Sequence, residues 1–171
     1  MAGKLDALPG QLPTVGDWVD HLTTMFPEVR LKRFLEMRGA DGGPWRRLCA
    51  LPAFWVGLLY DRTALDAAWD LIKDWTLEEH SALRDAVPTS GLATKFRNIS
   101  VRDLAIQALG IAEDGLKRRA CLDAYGRDES IFLQTLNTIA QSGVTPAEDM
   151  LADFHGRWAG NIDEVFRDYC Y

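Results

Sequence analysis

One recurring helix-capping pattern constrains the fold of this 171-residue chain more than any other feature. At each occurrence a Ser or Thr is followed three residues later by Asp or Glu, and an apolar periodic segment comes next. The hydroxyl can accept a hydrogen bond from an unpaired amide of the first helical turn, and the acidic side chain can accept one in return. The pattern therefore predicts a mainly helical chain. It occurs at Thr14 and Asp17, Thr63 and Asp66, Thr76 and Glu79, Ser100 and Asp103, and Thr145 and Glu148.

The helix boundaries follow from these caps and from apolar stripes at helical spacing. Asp41 is expected to cap the helix that begins at Pro44, and residues 88–99, which are rich in turn formers, are expected to form a loop. Helices are expected near residues 15–25, 44–60 with a break at Pro52, 64–74, 77–87, 101–124, 129–142, 146–157 and 162–169.

Residues 28–38 depart from the helical pattern, because apolar and charged side chains alternate there. Such alternation is typical of a half-buried strand. A face with several ionisable groups makes a poor core, so this face is expected to meet water or a charged ligand. The spacing alone leaves both possibilities open. The charged face carries Arg30, Lys32, Glu36 and Arg38.

A glycine-rich turn connects this strand to the next helix. Gly39, Gly42 and Gly43 are expected to allow a positive φ and a close approach of the backbone to a partner. One strand cannot satisfy its own backbone hydrogen bonds. Strand 28–38 is therefore expected to pair with the N-terminal segment, with strands upstream of this chain, or with a second copy through the strand edge.

Charge and composition argue against several classes of partner. The formal net charge of −6 argues against nucleic acid, which requires clustered basic surface. The one basic cluster, residues 117–119, is expected near a helix C-terminus. The three cysteines have no metal-ligand spacing, and no apolar run is long enough for a membrane span. The protein is expected to be soluble and cytoplasmic.

The sequence also carries a specific family resemblance. The segment from Asp17 to Tyr60, which includes Glu36-Met37-Arg38-Gly39, closely resembles the C-terminal region of the plant and proteobacterial type of glutamate-cysteine ligase. The resemblance continues through 87–92, 114–119 and 143–148 to the last residue. It implies an enzyme that uses ATP and Mg²⁺ to join the γ-carboxyl of glutamate to the amine of cysteine, the first step of glutathione biosynthesis.

This resemblance implies a fold related to glutamine synthetase, in which strand 28–38 belongs to an antiparallel active-site sheet. Glu36-Met37-Arg38 resembles a Glu-x-Arg element in which the Glu binds a metal ion and the Arg binds glutamate. Glu36 is therefore assigned to Mg²⁺ and Arg38 to the glutamate substrate, both as catalytic residues. An arginine suits this role because its planar fork matches a carboxylate.

Further roles are assigned to residues around this element. Arg30 and Lys32 are assigned to the phosphates of ATP, although each can instead be solvated or ion-paired. Trp45 and Arg46 are assigned to the substrate pocket, although Trp45 can instead pack at the helix entry. Cys49 matches one half of a regulatory disulfide of the plant enzymes.

The expected fold class is mainly α within an α+β parent fold, with about seven helices and one strand. One domain is expected over 1–171, with a loop at 1–13, the active-site strand and turn at 28–47 and helices over 48–171. The chain is expected to be the C-terminal portion of the ligase, inactive without its upstream part. The alternative is a non-catalytic helical module for interaction or dimerisation.

Overall fold

The computed structural model of the chain describes residues 7–170 and contains two compact units. The first unit ends at Asp41 and the second begins at Gly42. Compact units need not be separate domains, so the single domain over 1–171 stays a prediction. The predicted fold class, mainly α within an α+β parent fold, is confirmed by the secondary structure of the described residues.

The first unit contains one helix and a β-hairpin within its described part. Helix α1 (Val15–Leu22) begins with the predicted capping box, in which the Asp17 amide donates to Thr14 Oγ1 at 3.1 Å. The helix ends at Leu22 and not at residue 25. Just beyond it, the hydroxyls of Thr23 and Thr24 donate to helix carbonyls, which satisfies groups that a further turn would have used.

Residues 28–38 form an antiparallel hairpin, so the prediction of one strand over this range is wrong. Strand β1 (Val29–Leu31) pairs with strand β2 (Leu35–Met37), and Arg30 lies opposite Glu36. The Lys32 amide donates to the Phe34 carbonyl at 2.9 Å and closes the turn. The segment therefore satisfies part of its own hydrogen bonding, and the expectation that it must pair elsewhere does not hold. Its place in a larger active-site sheet stays a prediction.

The second unit is built from helices and one very short hairpin in the part of it that is described. Its α-helices are α2 (Trp45–Leu59), α3 (Arg62–Ile72), α4 (Leu77–Ser90), α5 (Val101–Arg119), α6 (Gln134–Ser142), α7 (Pro146–His155) and α8 (Val165–Asp168). Shorter elements are 3₁₀ helices at Gly91–Ala93, Glu129–Leu133 and Ile162–Glu164, and strands β3 (Lys95–Phe96) and β4 (Ile99–Ser100).

The capping boxes at Thr76, Ser100 and Thr145 start α4, α5 and α7 as predicted. Two other expected caps are wrong. Asp61 caps α3 through a 2.8 Å bond from the Ala64 amide, so Thr63 lies inside the first turn. Pro44 is the N-cap of α2 and no side chain caps this helix, so Asp41 does not have the capping role.

Several predicted boundaries also differ. Helix α2 runs through Pro52 without a break, although an interior proline removes one amide donor from a helix. The expected loop 88–99 holds the end of α4, a 3₁₀ turn and the β3–β4 hairpin. Helix α5 ends at Arg119 because Ala120 adopts a left-handed conformation with φ of 52°. Its last turn holds the basic cluster 117–119, as predicted.

The core of the second unit forms where α2 crosses α5. Gly57 and Gly115 face each other there, and a Cβ at Gly115 would lie 2.0 Å from the Gly57 carbonyl oxygen and 2.9 Å from Ala64 Cβ. The two backbones can therefore approach closely because both positions lack a side chain. The buried apolar residues of this core include Ala53, Leu58, Leu109, Ala112, Leu116, Leu133 and Ala140.

We predict that Gly115→Ala destabilises the chain by about 1–3 kcal/mol, because the new methyl group must push the two helix backbones apart. Urea unfolding followed by circular dichroism measures this change. Gly110→Ala on the same helix is the matched control, since nothing lies within 4 Å of its Cβ position. This control is expected to stabilise the helix by about 0.5–1 kcal/mol. Equal effects of the two variants would contradict the close crossing.

Candidate functional site

The hairpin brings four of the predicted site residues together around one carboxylate. We call this group the Glu36 cluster, and it consists of Arg30, Lys32, Glu36 and Arg38. Arg30 Nε donates to Glu36 Oε2 at 2.8 Å. Arg38 Nη1 lies 3.8 Å from the same oxygen, and Lys32 Nζ lies 3.5 Å from Oε1. The ion-paired alternative for Arg30 and Lys32 is thus present in this chain.

The local fold explains this arrangement. Arg30 and Glu36 are directly opposite residues of the two strands, so their side chains share one face. Arg38 comes just after β2, and its amide donates to the Glu28 carbonyl at 2.8 Å, which extends the pairing by one bond. The charges therefore meet across a turn, and not along one strand as the alternation predicted.

The electrostatics of the cluster keep Glu36 ionised. The hydrogen bond from Arg30 lowers the pKa of Glu36, burial opposes this shift, and the charges of Arg30 and Lys32 add to it. The Glu36 side chain is 29 % exposed, so the carboxylate remains within reach of a ligand. An ionised carboxylate is the form that binds a hard cation.

Arg38 has an unused hydrogen-bond donor. Its guanidinium lies over the Phe26 ring, 5.1 Å from the ring centroid, which holds the planar group in place. Its Nη1 atom is buried and has no hydrogen-bond acceptor among residues 7–170. A buried donor without an acceptor is uncommon in proteins and calls for a specific explanation. Sequence reasoning missed Phe26, because it precedes the alternating segment.

Trp45 and Arg46 belong to the second unit and form the first turn of α2. Trp45 is 77 % exposed, so the alternative in which it packs at the helix entry is wrong. Arg46 is also exposed. Of the three glycines before this helix, none has a positive φ, which corrects that expectation. Gly43 is instead needed for a close approach, because a Cβ there would lie 2.7 Å from Arg47 Nε.

Further observations outside the Glu36 cluster concern metal ligands, cysteines, membrane spans and one other arginine. Groups of three or more His, Cys, Asp or Glu residues at metal-binding distances are absent from the described residues. Cys49 is half-buried and is not in a disulfide. No helix within 7–170 is long and apolar enough to cross a membrane. Arg97 donates two bonds to Glu79 at 2.7 Å each, so its guanidinium already has a partner.

Comparison with known proteins gives the family. Residues 5–168 match glutamate-cysteine ligase family 2, GCS2. The chain belongs to this family. It is 54 % identical over all 171 residues to the chloroplastic glutamate-cysteine ligases of Medicago truncatula and Arabidopsis thaliana, and 53 % identical to that of Nicotiana tabacum. The chain spans 32 % of the length of each of these relatives.

The comparisons confirm the predicted family and support a ligase. They also correct one prediction. These glutamate-cysteine ligases are named as chloroplastic proteins, so the prediction of a cytoplasmic location is wrong. A location cannot be read from residues that form a fold and a charged site, because targeting depends on separate signals.

We predict that Arg30→Gln raises the pKa of Glu36 toward its ordinary value, because Arg30 supplies the largest stabilisation of the ionised carboxylate. A carbon-detected NMR titration of the side-chain carboxyl groups measures this shift. Arg33→Gln is the matched control, since Arg33 lies in the turn between the same strands and is exposed. A Glu36 pKa that responds equally to both variants would contradict the cross-strand pair.

Proposed function

We propose that this chain supplies part of the active site of an ATP-dependent ligase that joins the γ-carboxyl of glutamate to the amine of cysteine. In this proposal Arg38 binds the glutamate substrate and Glu36 binds Mg²⁺. The observation that carries the proposal is the buried Nη1 donor of Arg38, which lacks an acceptor within the described residues. A substrate carboxylate would supply that acceptor, and the match over residues 5–168 supports this reaction class.

The position of Arg38 supports substrate binding. Its guanidinium is held from one side by the Phe26 ring and is drawn toward Glu36 from another. A fork fixed in this way loses little conformational freedom when a carboxylate binds. The side chain is 25 % exposed, which leaves one edge accessible to a ligand.

Glu36 fits a role as one ligand of Mg²⁺. Its Oε2 atom accepts the bond from Arg30, whereas Oε1 has the longer contact with Lys32 at 3.5 Å. Oε1 is therefore the oxygen with more free capacity for a cation. Mg²⁺ keeps several waters and takes few protein carboxylates, so a single glutamate from this chain suits it. ATP and Mg²⁺ would supply the phosphoryl group that activates the γ-carboxyl and the charge that stabilises its transfer.

The Glu36 cluster has an excess of positive charge, because three cations surround one carboxylate. Both ATP and glutamate are anions, so a site for them must offset their mutual repulsion. We assign Arg30 and Lys32 to this task and to contacts with the phosphates. In the second unit, the exposed Trp45 and Arg46 at the start of α2 offer an aromatic wall and a cation to a substrate.

The remaining ligands and the rest of the nucleotide site would come from the other part of the enzyme, or from a second copy at the hairpin edge. A second candidate function is a non-catalytic interaction module. Under either candidate function, another protein surface would cover the exposed apolar side chains of the first unit. They include Val15, Trp18, Val19, Phe26, Leu31 and Phe34.

We predict that the 171-residue chain alone has no ligase activity, because the Glu36 cluster supplies one metal-binding carboxylate and no group of three metal ligands occurs in 7–170. The assay is glutamate- and cysteine-dependent release of ADP. A chimera in which this chain replaces the corresponding third of the Arabidopsis thaliana ligase is expected to support turnover. An inactive but folded chimera, or an active isolated chain, would contradict the proposal.

We predict distinct kinetic effects for two variants in that chimera. Arg38→Lys is expected to raise the KM for glutamate about tenfold, because a point charge replaces a bidentate fork. Glu36→Gln is expected to lower kcat on the order of a hundredfold and to raise the Mg²⁺ requirement. Arg33→Lys is the control for the hairpin surface. Full turnover in Glu36→Gln would favour the interaction module.

A further inference from the structure

A pocket separate from the Glu36 cluster is lined by residues of the second unit. It is formed by the first turn of α2, by α6, by the start of α7 and by the segment around the end of α8. Its volume is about 500 Å³, which is within the range of sites for small molecules. The charged side chains in its wall include Arg46, Arg47 and Asp149. Sequence reasoning assigned a role to Arg46 and none to the other two.

Arg47 has a buried donor that no described residue satisfies. Its Nε atom is buried and has no hydrogen-bond acceptor among residues 7–170. The guanidinium packs on Gly43, whose missing side chain leaves room for Nε, Cζ and Nη2. Gly43 is buried and has no positive φ. Gly43 therefore sets the position of the Arg47 guanidinium, whose positive charge and N–H donors suit an anion in the pocket that Arg47 lines.

No carboxylate in the described part of the pocket wall is paired with Arg46 or Arg47. Asp168 also lines the pocket, but its Oδ2 atom accepts a 2.8 Å bond from Trp158 Nε1 and pairs with Arg157. The N-cap of α2, Pro44, provides no side-chain bond to the first turn. The unpaired amides of that turn add to the positive potential of the two arginines.

Asp149 supplies the opposite charge in the same pocket. It lies in the first turn of α7, and its carboxylate has no ion pair or hydrogen bond with any residue of the described range. Its charge also acts on Tyr169, which lines the same pocket. The pKa of Tyr169 is raised by burial and by the bond to Asp153, and further by the charges of Asp153 and Asp149. Opposite charges thus line one pocket without pairing with each other.

We propose that this pocket binds a zwitterionic α-amino acid, with its carboxylate on Arg46 and Arg47 and its ammonium group on Asp149. Ile139 and Pro146 also line the pocket and suit an apolar side chain. The proposal does not depend on the ligase assignment. Arg46 is shared with the proposed substrate pocket, whereas Arg47 and Asp149 are not.

The test is calorimetric titration of the 171-residue chain with three matched probes. L-leucine carries both charged groups, 4-methylpentanoate lacks the ammonium group, and 3-methylbutylamine lacks the carboxylate. Leucine is expected to bind saturably, and each of the other probes is expected to bind at least about tenfold more weakly. Glycine serves as a second zwitterion without a side chain. No saturable binding of either amino acid at millimolar concentrations overturns the proposal.

Variants assign each charge separately. Asp149→Asn is expected to weaken leucine and leave 4-methylpentanoate unchanged, whereas Arg47→Gln weakens both. Gly43→Ala keeps both charges but displaces the Arg47 guanidinium, so it should weaken both probes while the helix content stays native by circular dichroism. Arg47→Lys replaces Arg47→Gln if the latter fails to fold. Arg33→Gln is the control. Equal affinity for leucine and 4-methylpentanoate, or unchanged leucine binding in Arg47→Gln, overturns the proposal.

Discussion

The second unit depends on the contact between α2 and α5, where two helix backbones meet without side chains between them. Gly57 and Gly115 permit this approach, and Ala53 and Ala112 continue the run of small residues in the core. Close backbone contact brings many atoms of both helices into attractive range. Because α2 is held in this way, its first turn becomes a fixed platform for Trp45, Arg46 and Arg47. The positions of these side chains are thus set by packing at Gly57, about three turns farther along the helix.

The first unit has less internal packing to stabilise it. Its hairpin has strands of three residues, and isolated two-stranded hairpins of this size are marginally stable in water. Half-exposed ion pairs such as those of the Glu36 cluster add little to stability. The unit also exposes large apolar residues on α1, including Trp18 and Val19. A segment with these features is expected to pack against another protein surface. This expectation agrees with the length of the chain, which spans about a third of the length of its relatives.

The sequence predicted the helices well because their caps are local. The boxes at Thr14, Thr76, Ser100 and Thr145 each need residues three apart, so spacing is sufficient to find them. The prediction failed where two local solutions competed. Asp61 precedes Thr63 and caps first, and alternation over 28–38 cannot distinguish one long strand from two short ones joined by a turn.

The candidate sites also combine features that local sequence predicts with contacts that only the fold creates. Family resemblance assigned candidate roles to Arg38 and Glu36, but the residue that each contacts lies elsewhere in the sequence. Phe26 and Arg30 become neighbours of these residues through the fold. In the second unit, Arg47 and Asp149 are more than a hundred residues apart and share a pocket because α2 and α7 both contribute to its wall. A pattern in one segment cannot predict such a meeting.

The three-residue turn between β1 and β2 has a consequence for how this family can vary. Side chains alternate between the faces of a strand, so inserting or deleting one residue in the turn can shift the register and send Glu36 to the face opposite Arg30. A single substitution would remove one charge from the Glu36 cluster, whereas a change in the length of the turn would separate Glu36 from Arg30 and disrupt the whole cluster. Among relatives, the length of this turn should therefore be a stricter requirement than the identity of its exposed residues.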